Sequence, residues 1–247
     1  MTKGDLIKVI NDTINKCENK YKWMIDNCIN IYYPENYFKV NVNDHKKNKV
    51  TINVVKKTTV EALEIYGLGD VYAVLNFASA KHPGGGVLRG AVAQEEALAR
   101  ASSLFPAIKK CQEFYNPVPS APYYSDRIIY STPIYVFKND YGQDIEPIEC
   151  EVITCAAPNY SFIDNIDIQK HKDVIRRRFT KVLMSAIENN QRNLILGAWG
   201  CGVFKNPADI NAQIFREVLD NYSNYFDDII FAIPDDTNYN IFKENLY

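Results

Sequence analysis

Hydrophobic residues in this chain follow two spacings that alternate along its length. Leu6, Ile7, Ile10, Ile14, Cys17, Tyr21, Met24, Ile25, Cys28 and Ile29 recur every three or four positions. That spacing predicts one N-terminal helix over residues 5–32, started by Asp5 and stopped at Tyr32-Tyr33-Pro34. Two-residue alternation follows, with Phe38, Val40 and Val42 in residues 37–43 and Val50, Ile52 and Val54 in 49–55. These read as two strands joined by a polar tip that carries His45. Thr58 or Thr59 caps a second helix, which ends at Gly67-Leu68-Gly69. Val71–Phe77 is rich in β-branched and aromatic residues and reads as a buried central strand. A helix is predicted over Gln94–Leu104, then helical or irregular chain over 105–116 and a proline-punctuated loop over 117–126. Arg127–Phe137 is strand-like except at Pro133, which predicts a bulge or an edge. A turn at Asn139–Gly142 precedes another buried strand, Glu151–Ala156. A helix over 171–190 and a short strand, Asn193–Leu196, come next. Pro207 then opens a helix that runs to about Asn221. Asp228–Ile233 is the last strand, and a short helix over 240–245 ends the chain.

Strands alternating with helices predict an α/β fold with a mixed sheet between two helical layers, in one domain spanning 1–247. Residues 1–57 are expected to pack onto that core. In such folds ligands bind at the carboxyl ends of the strands. Two strands run straight into glycine loops. Val71–Phe77 leads to Gly84-Gly85-Gly86, and Asn193–Leu196 leads to GAWGCGVFKN. If the two strands are parallel neighbours, the loops share a crevice. Glycine lets a backbone approach a ligand closely. Successive N–H groups at a loop-to-helix junction attract an anion. Two such loops face to face suit a diphosphate. Neither carries the Lys-Ser/Thr end of a P-loop nor the GxGxxG of a dinucleotide fold, and either could be a plain turn.

Composition narrows the partners. The 247 residues are 47% hydrophobic and 23% charged, with a formal net charge of −2. A chain of this length typically buries about three-quarters of its unfolded surface. It has no overall basic field to hold nucleic acid, so sequence-specific binding of DNA or RNA is not expected. Six cysteines are scattered without a CxxC or zinc spacing, which predicts free thiols and no metal. The N-terminus lacks the apolar core of a signal peptide, and no apolar run reaches the ~20 residues of a membrane span. A reduced, cytoplasmic protein without membrane contact is expected, acting as a monomer without a cofactor.

The candidate chemistry lies at Gln94-Glu95-Glu96. Acids at a helix start are ordinary, because the helix dipole favours them. Adjacent helix positions point about 100° apart, so the two acids cannot do the same job. One could hold hydroxyls while the other protonates the leaving oxygen of a glycosidic bond. The dipole favours ionised carboxylates, whereas burial and mutual repulsion favour a protonated one. The sequence sets these effects against one another without deciding between them. Among the remaining residues, Cys201 with His82 would make an unoriented thiol–imidazole pair. Arg176–Arg178 read as a solvated helix face, Trp199 as loop packing, and none of the 17 tyrosines stands out.

Three glycines, seven residues and then Gln-Glu-Glu resemble the signature of the short, microbial form of the poly(ADP-ribose) glycohydrolase family. The blocks NFASAKHPGGGVLRGAVAQEEALARASSLF, SDRIIYSTPIYVF, VITCAAPN and LILGAWGCGVFKN resemble that family's blocks in its order, over 71–235. The resemblance implies a macrodomain-like three-layer sandwich with an N-terminal helical extension. It implies metal-independent cleavage of the ribose–ribose bond of poly(ADP-ribose), releasing ADP-ribose from polymer ends. Glu96 would be the catalytic acid/base and Glu95 would bind ribose hydroxyls, with Gln94 and Asn76 in the substrate site. Gly84, Gly85, Gly86 and Val87, with Gly200, Cys201, Gly202 and Val203, would cradle the diphosphate. Phe204 would lie against the distal ribose, and Ala157, Pro158 and Asn159 are a candidate wall for adenine. A binding module for ADP-ribose, or a hydrolase of another ADP-ribose conjugate, is the alternative.

Overall fold

The structure is a computed structural model and describes residues 1–37 and 49–247. The strand expected over 37–43 and the polar tip with His45 lie outside the described residues, apart from Tyr37.

The predicted N-terminal helix is two helices and a strand. α1 (Lys3–Glu18) starts at Thr2, whose side chain and that of Asp5 bond each other's backbone N–H in a capping box, so Asp5 sits inside the helix. It ends at Asn19, and α2 (Lys22–Asp26) follows. Ile29–Tyr33 is then β1, not helix. The three- and four-residue spacing runs on to Ile29, but INIYY is β-branched and aromatic and finds an antiparallel partner in residues 128–132. The ladder decides over the helical period.

β2 (Thr51–Val55) leads to α3 (Thr59–Tyr66), which Thr58 and Glu61 close with a second capping box. β3 (Ala73–Phe77) enters the first glycine loop. α4 (Gln94–Ala101) is shorter than expected, because Ser102 leaves helical geometry and bridges to Val136. α5 (Leu104–Ile108) and α6 (Gln112–Tyr115) continue the layer. β4 (Ile128–Lys138) and β5 (Asp144–Cys155) form a hairpin across the expected turn. At Pro133 the β4–β5 register shifts between Ser131 and Ile134, so the proline marks a bulge. The pairing to β1 stops at Thr132, so the missing N–H costs no ladder bond there. α7 (Ile168–Glu188), β6 (Asn193–Leu196), α8 (Ala208–Tyr222), β7 (Asp228–Ala232) and α9 (Asp236–Leu246) complete the described chain.

The seven strands are ordered β1-β4-β5-β3-β6-β7-β2. β5, β3, β6, β7 and β2 run parallel, while β4 is antiparallel to both β5 and β1. Side chains alternate across the sheet. Ala73, Leu75, Leu194, Leu196 and Phe231 pack under α7, α8 and α9, where Phe179 and Phe215 stack 3.9 Å apart. Tyr72, Val74, Ile195 and Ile230 face α3 to α6. A mixed sheet between two helical layers is therefore observed. β3 and β6 are parallel neighbours in its middle, so both glycine loops leave the same edge side by side.

Candidate active site

The first loop and α4 are built around two carboxylates. β3 ends at Asn76-Phe77, and the chain turns through Gly84-Gly85-Gly86 into a single 3₁₀ turn, Val87–Arg89. α1 backs this loop: Ile10 packs with Val87, Ala99 and Phe105, and the Thr13 hydroxyl donates to the Arg100 carbonyl at 2.5 Å. Glu95 and Glu96 both become buried, without the exposure that a helix start usually has. Glu95 Oε2 accepts from the Ser79 N–H at 2.7 Å, and Oε1 accepts from Asn76 Nδ2 at 3.4 Å. Glu96 Oε1 accepts from the Gly86 N–H at 2.8 Å. Its Oε2 is buried and, among the described residues, has no hydrogen-bond partner; the same holds for Asn76 Oδ1 and the Tyr115 hydroxyl. Orphaned buried polar atoms are rare in a fold, and Glu96 Oε2 and Asn76 Oδ1 both belong to side chains of this carboxylate cluster.

Burial pushes the Glu95 carboxyl up to about 8, and the charge of Glu96 adds to this. The N–H groups of Ser79 and Gly84 and the Asn76 amide act in the opposite direction. Burial thus outweighs these hydrogen bonds at Glu95. Arg100 is buried on the same helix and donates to the Ala91 carbonyl at 2.6 Å; burial lowers its pKa, while Glu96 raises it. Gln94 is tied to the strand end. Its Oε1 accepts from the Phe77 N–H at 2.9 Å, and its Nε2 donates to the Leu75 carbonyl at 3.0 Å and to Thr59 Oγ1 at 3.1 Å. It braces β3 against α3, so its polar atoms are engaged within the protein.

Gly85 has φ +59°, and a Cβ there would stand 2.4 Å from Glu96 Oε1 and 3.0 Å from Glu95 Oε2. Glycine is required because the loop lies directly on the carboxylates. This changes what the first loop does. The Gly85 N–H bonds the His82 carbonyl, Gly86 N–H bonds Glu96, and Val87 N–H bonds the Gly84 carbonyl. The N–H groups expected to cradle a diphosphate instead fold the loop and hold Glu96, and the Val87 side chain is buried packing.

The second loop has the free donors. Cys201 N–H bonds Ala198 and Lys205 N–H bonds Gly202, whereas the N–H groups of Gly200, Gly202, Val203 and Phe204 meet no acceptor among the described residues. They lie just before the start of α8, where the helix dipole also favours an anion. Gly200 has φ +80°, and a Cβ would stand 2.8 Å from both Ala157 Cβ and Asn206 Cγ. Behind the loop, Asn206 Nδ2 donates to the Pro158 carbonyl at 2.7 Å, and Asn211 Nδ2 donates to the Trp199 carbonyl at 3.0 Å. Asn211 Oδ1 thus faces His171 Nε2 at 2.8 Å, which makes Nε2 the donor and leaves Nδ1 to accept from Tyr160 at 3.0 Å. Burial lowers the His171 pKa, in keeping with a neutral ring. Trp199 is fully buried and donates to the Cys155 carbonyl. The Cys201 thiol is pushed up to about 12 by burial and faces Trp199 and Asn211, not an imidazole. His82 is exposed on the other loop.

A cavity of about 330 Å³ lies between the second loop, the start of α4 and the ends of β7 and α3. Val60, Phe77, Leu98, Ala157, Ile233 and Pro234 give it apolar walls; Gly200, Gly202, Val203 and Phe204 border it, and Thr58 and Asp140 supply polar atoms. Of the expected adenine wall only Ala157 lines this cavity. Pro158 supplies a carbonyl to Asn206, and Asn159 donates to the Tyr124 hydroxyl at 3.2 Å.

Several residues at the site carried no sequence signal. Tyr124 adopts φ +58°, and its ring lies 6.3 Å from Phe204 and 6.0 Å from Lys81 Nζ, bringing chain from outside both loops to the crevice. Tyr115, on α6, comes from a segment that read as helical or irregular; burial raises its pKa, and it lies near enough to Glu95 for that charge to raise it further. Arg178 is fully buried: it binds Asp126 and donates to the Ala156 carbonyl at 2.8 Å, while Arg177 also binds Asp126. Burial would raise the Asp126 pKa, but the two guanidiniums hold it down. The solvated face expected for Arg176–Arg178 thus holds for Arg176, which pairs with Glu217, and for Arg177, which stays exposed, but not for Arg178.

Comparison with known proteins agrees with this architecture. A family model described as microbial-type PARG, catalytic domain, matches residues 8–139, more than half of the chain. Poly(ADP-ribose) glycohydrolase from Thermomonospora curvata bound to the inhibitor ADP-HPD is 30% identical, with 98% of this chain and 99% of that chain covered and a TM-score of 0.84. The same Thermomonospora enzyme in another structure gives a TM-score of 0.86 at the same identity and coverage. Poly(ADP-ribose) glycohydrolase from Deinococcus radiodurans in complex with ADP-ribose is 29% identical, covering 92% of this chain and 97% of that chain, with a TM-score of 0.79. At the sequence level no curated protein matches the chain. The glutamate pair, the two glycine loops and these likenesses agree: the chain belongs to the microbial-type poly(ADP-ribose) glycohydrolase family.

Proposed function

We propose that this protein hydrolyses the ribose–ribose O-glycosidic bond of poly(ADP-ribose) and releases ADP-ribose, with Glu96 as acid/base. The observation that carries the reading is the different surroundings of the two glutamates. Glu95 has both oxygens engaged by protein donors, whereas Glu96 has one oxygen fixed by Gly86 and one without a partner. The fixed oxygen sets the direction of the free one, as general acid–base catalysis requires. Glu96 would protonate the departing ribose oxygen and then take a proton from water as it attacks the oxocarbenium-like carbon. Glu95, with Asn76, would hold the hydroxyls of the reacting ribose. The free N–H groups of Gly200, Gly202, Val203 and Phe204 would take the diphosphate, and the apolar cavity beyond them the adenine. The Phe204 ring would limit the motion of the ribose. Gly85 would let the substrate lie against Glu96.

Other features fit the same reading. Both glutamates and both loops come from one chain, as a monomeric enzyme needs. All six cysteines are unpaired, as expected in the reducing cytoplasm. No helix among the described residues is long and apolar enough to cross a membrane. Release from polymer ends is the expected mode; long oligomers early in a digest would count against it. The deciding experiment is digestion of purified poly(ADP-ribose) by wild type and by Glu96→Gln, with free ADP-ribose quantified and ADP-ribose affinity measured by calorimetry. Glu96→Gln should lower kcat by about a thousandfold and leave the affinity near that of wild type. Activity retained in the variant overturns the role of Glu96. Binding without release by wild type points to a binding module or to another ADP-ribose conjugate.

A further inference from the structure

The first glycine loop borders a second cavity, of about 260 Å³, that the reading above does not use. Gly85 and Gly86 form part of its wall, and Gly86 is the residue whose N–H holds Glu96. Around it stand His82, Arg89 and Lys109, with Pro83, Leu88 and Phe105 as apolar surface. None of its lining residues is acidic. Arg89 and Lys109 are exposed, and neither has a carboxylate partner among the described residues. In a chain of net charge −2, two unneutralised cations and an imidazole around one cavity are a local feature, not part of a general basic surface.

The second loop borders the apolar cavity, whereas the cationic cavity borders the first loop, whose Gly86 N–H holds Glu96. Cleavage of poly(ADP-ribose) leaves a second ADP-ribose unit on the oxygen that Glu96 protonates, and that unit carries its own diphosphate. We propose that Arg89 and Lys109, with His82, form a leaving-side subsite that binds the diphosphate of this second unit, while Pro83, Leu88 and Phe105 face its adenosine. The inference rests on the glycohydrolase reading and adds a specificity element to it. Arginine suits the contact because its planar fork matches phosphate oxygens, and lysine adds a point charge. The subsite binds outside the bond being broken, so it favours polymer over conjugates with an uncharged leaving group.

The test compares two substrates: poly(ADP-ribose), and an aryl glycoside of ADP-ribose whose leaving group is an uncharged phenol. The variant is Arg89→Ala with Lys109→Ala, checked for an unchanged Tm, and Arg89→Gln with Lys109→Gln serves as a second version. For polymer, kcat/KM should fall at least about tenfold and its decline with added salt should flatten. For the aryl glycoside, kcat/KM should stay within about twofold of wild type. Equal loss on both substrates, or no loss on either, overturns the subsite while leaving the glycohydrolase reading in place. Wild type that releases ADP-ribose from the aryl glycoside but not from polymer removes the glycohydrolase reading and the subsite with it.

Discussion

Glu95 and Glu96 are neighbours in sequence but differ in chemistry, because a helix turns them toward different partners. Glu95 faces Ser79 and Asn76, while Glu96 faces Gly86 and one undonated direction. Burial gives Glu95 a measurable signature. Its carboxyl is raised from the ordinary 4.5 to about 8 in the folded protein. A group raised on folding stabilises the fold when protonated, so its contribution is complete below about pH 4.5 and is lost as pH rises through about 8. Glu95→Gln stays neutral throughout, so it should raise Tm relative to wild type at about pH 9 and change it little at about pH 4.5. Calorimetric scans at the two pH values check this; an equal shift at both would mean that burial of charge is not what raises the carboxyl. At Gly85 a side chain would collide with Glu96 Oε1 and also need positive φ. Gly85→Val should therefore reduce kcat/KM for polymer by at least about a hundredfold, and undiminished turnover would contradict the contact.

The elements explain how such a site is held. The second loop has no secondary structure of its own, so its shape depends on side chains behind it. Asn211 of α8 joins the Trp199 carbonyl to His171 of α7, and Asn206 fixes the turn after β5. Asn211→Leu would leave a buried carbonyl and an imidazole N–H unpaired. It should cost about 1–3 kcal/mol in chemical denaturation and weaken ADP-ribose binding more than it slows turnover of bound substrate. An equal loss in kcat with unchanged affinity would place this network in the chemistry instead. α1 supports the other loop in a comparable way, through Ile10 and Thr13. The N-terminal segment, expected as a helical extension packed on the core, thus also supports the first loop and α4.

At the scale of the whole molecule, two loops distant in sequence meet because β3 and β6 are adjacent and parallel. The site gathers carboxylates, amides and backbone donors. No group of three or more His, Cys, Asp or Glu among the described residues could hold a metal ion. EDTA should therefore leave polymer hydrolysis unchanged; inhibition reversed by a divalent ion would overturn the acid–base scheme.

The sequence by itself determined the alternation of strands and helices, the position of both glycine loops at strand ends, and the placing of the glutamate pair at a helix start. These features are local, set by side-chain period, turn chemistry and capping. The resemblance of the blocks supplied the family. What only the tertiary structure decided depends on neighbours far along the chain. β1 is a strand because β4 pairs with it, and Arg178 is buried because Asp126 meets it. The first loop's N–H groups turn to Glu96 and to its own carbonyls, while four N–H groups of the second loop meet no acceptor among the described residues. Tyr124 reaches the second loop from a segment without any motif, since position in space is fixed by packing and not by spacing in sequence. The balance between dipole and burial at Glu95 was open in the sequence for the same reason: desolvation depends on what covers a residue, and the cover here comes from other parts of the fold.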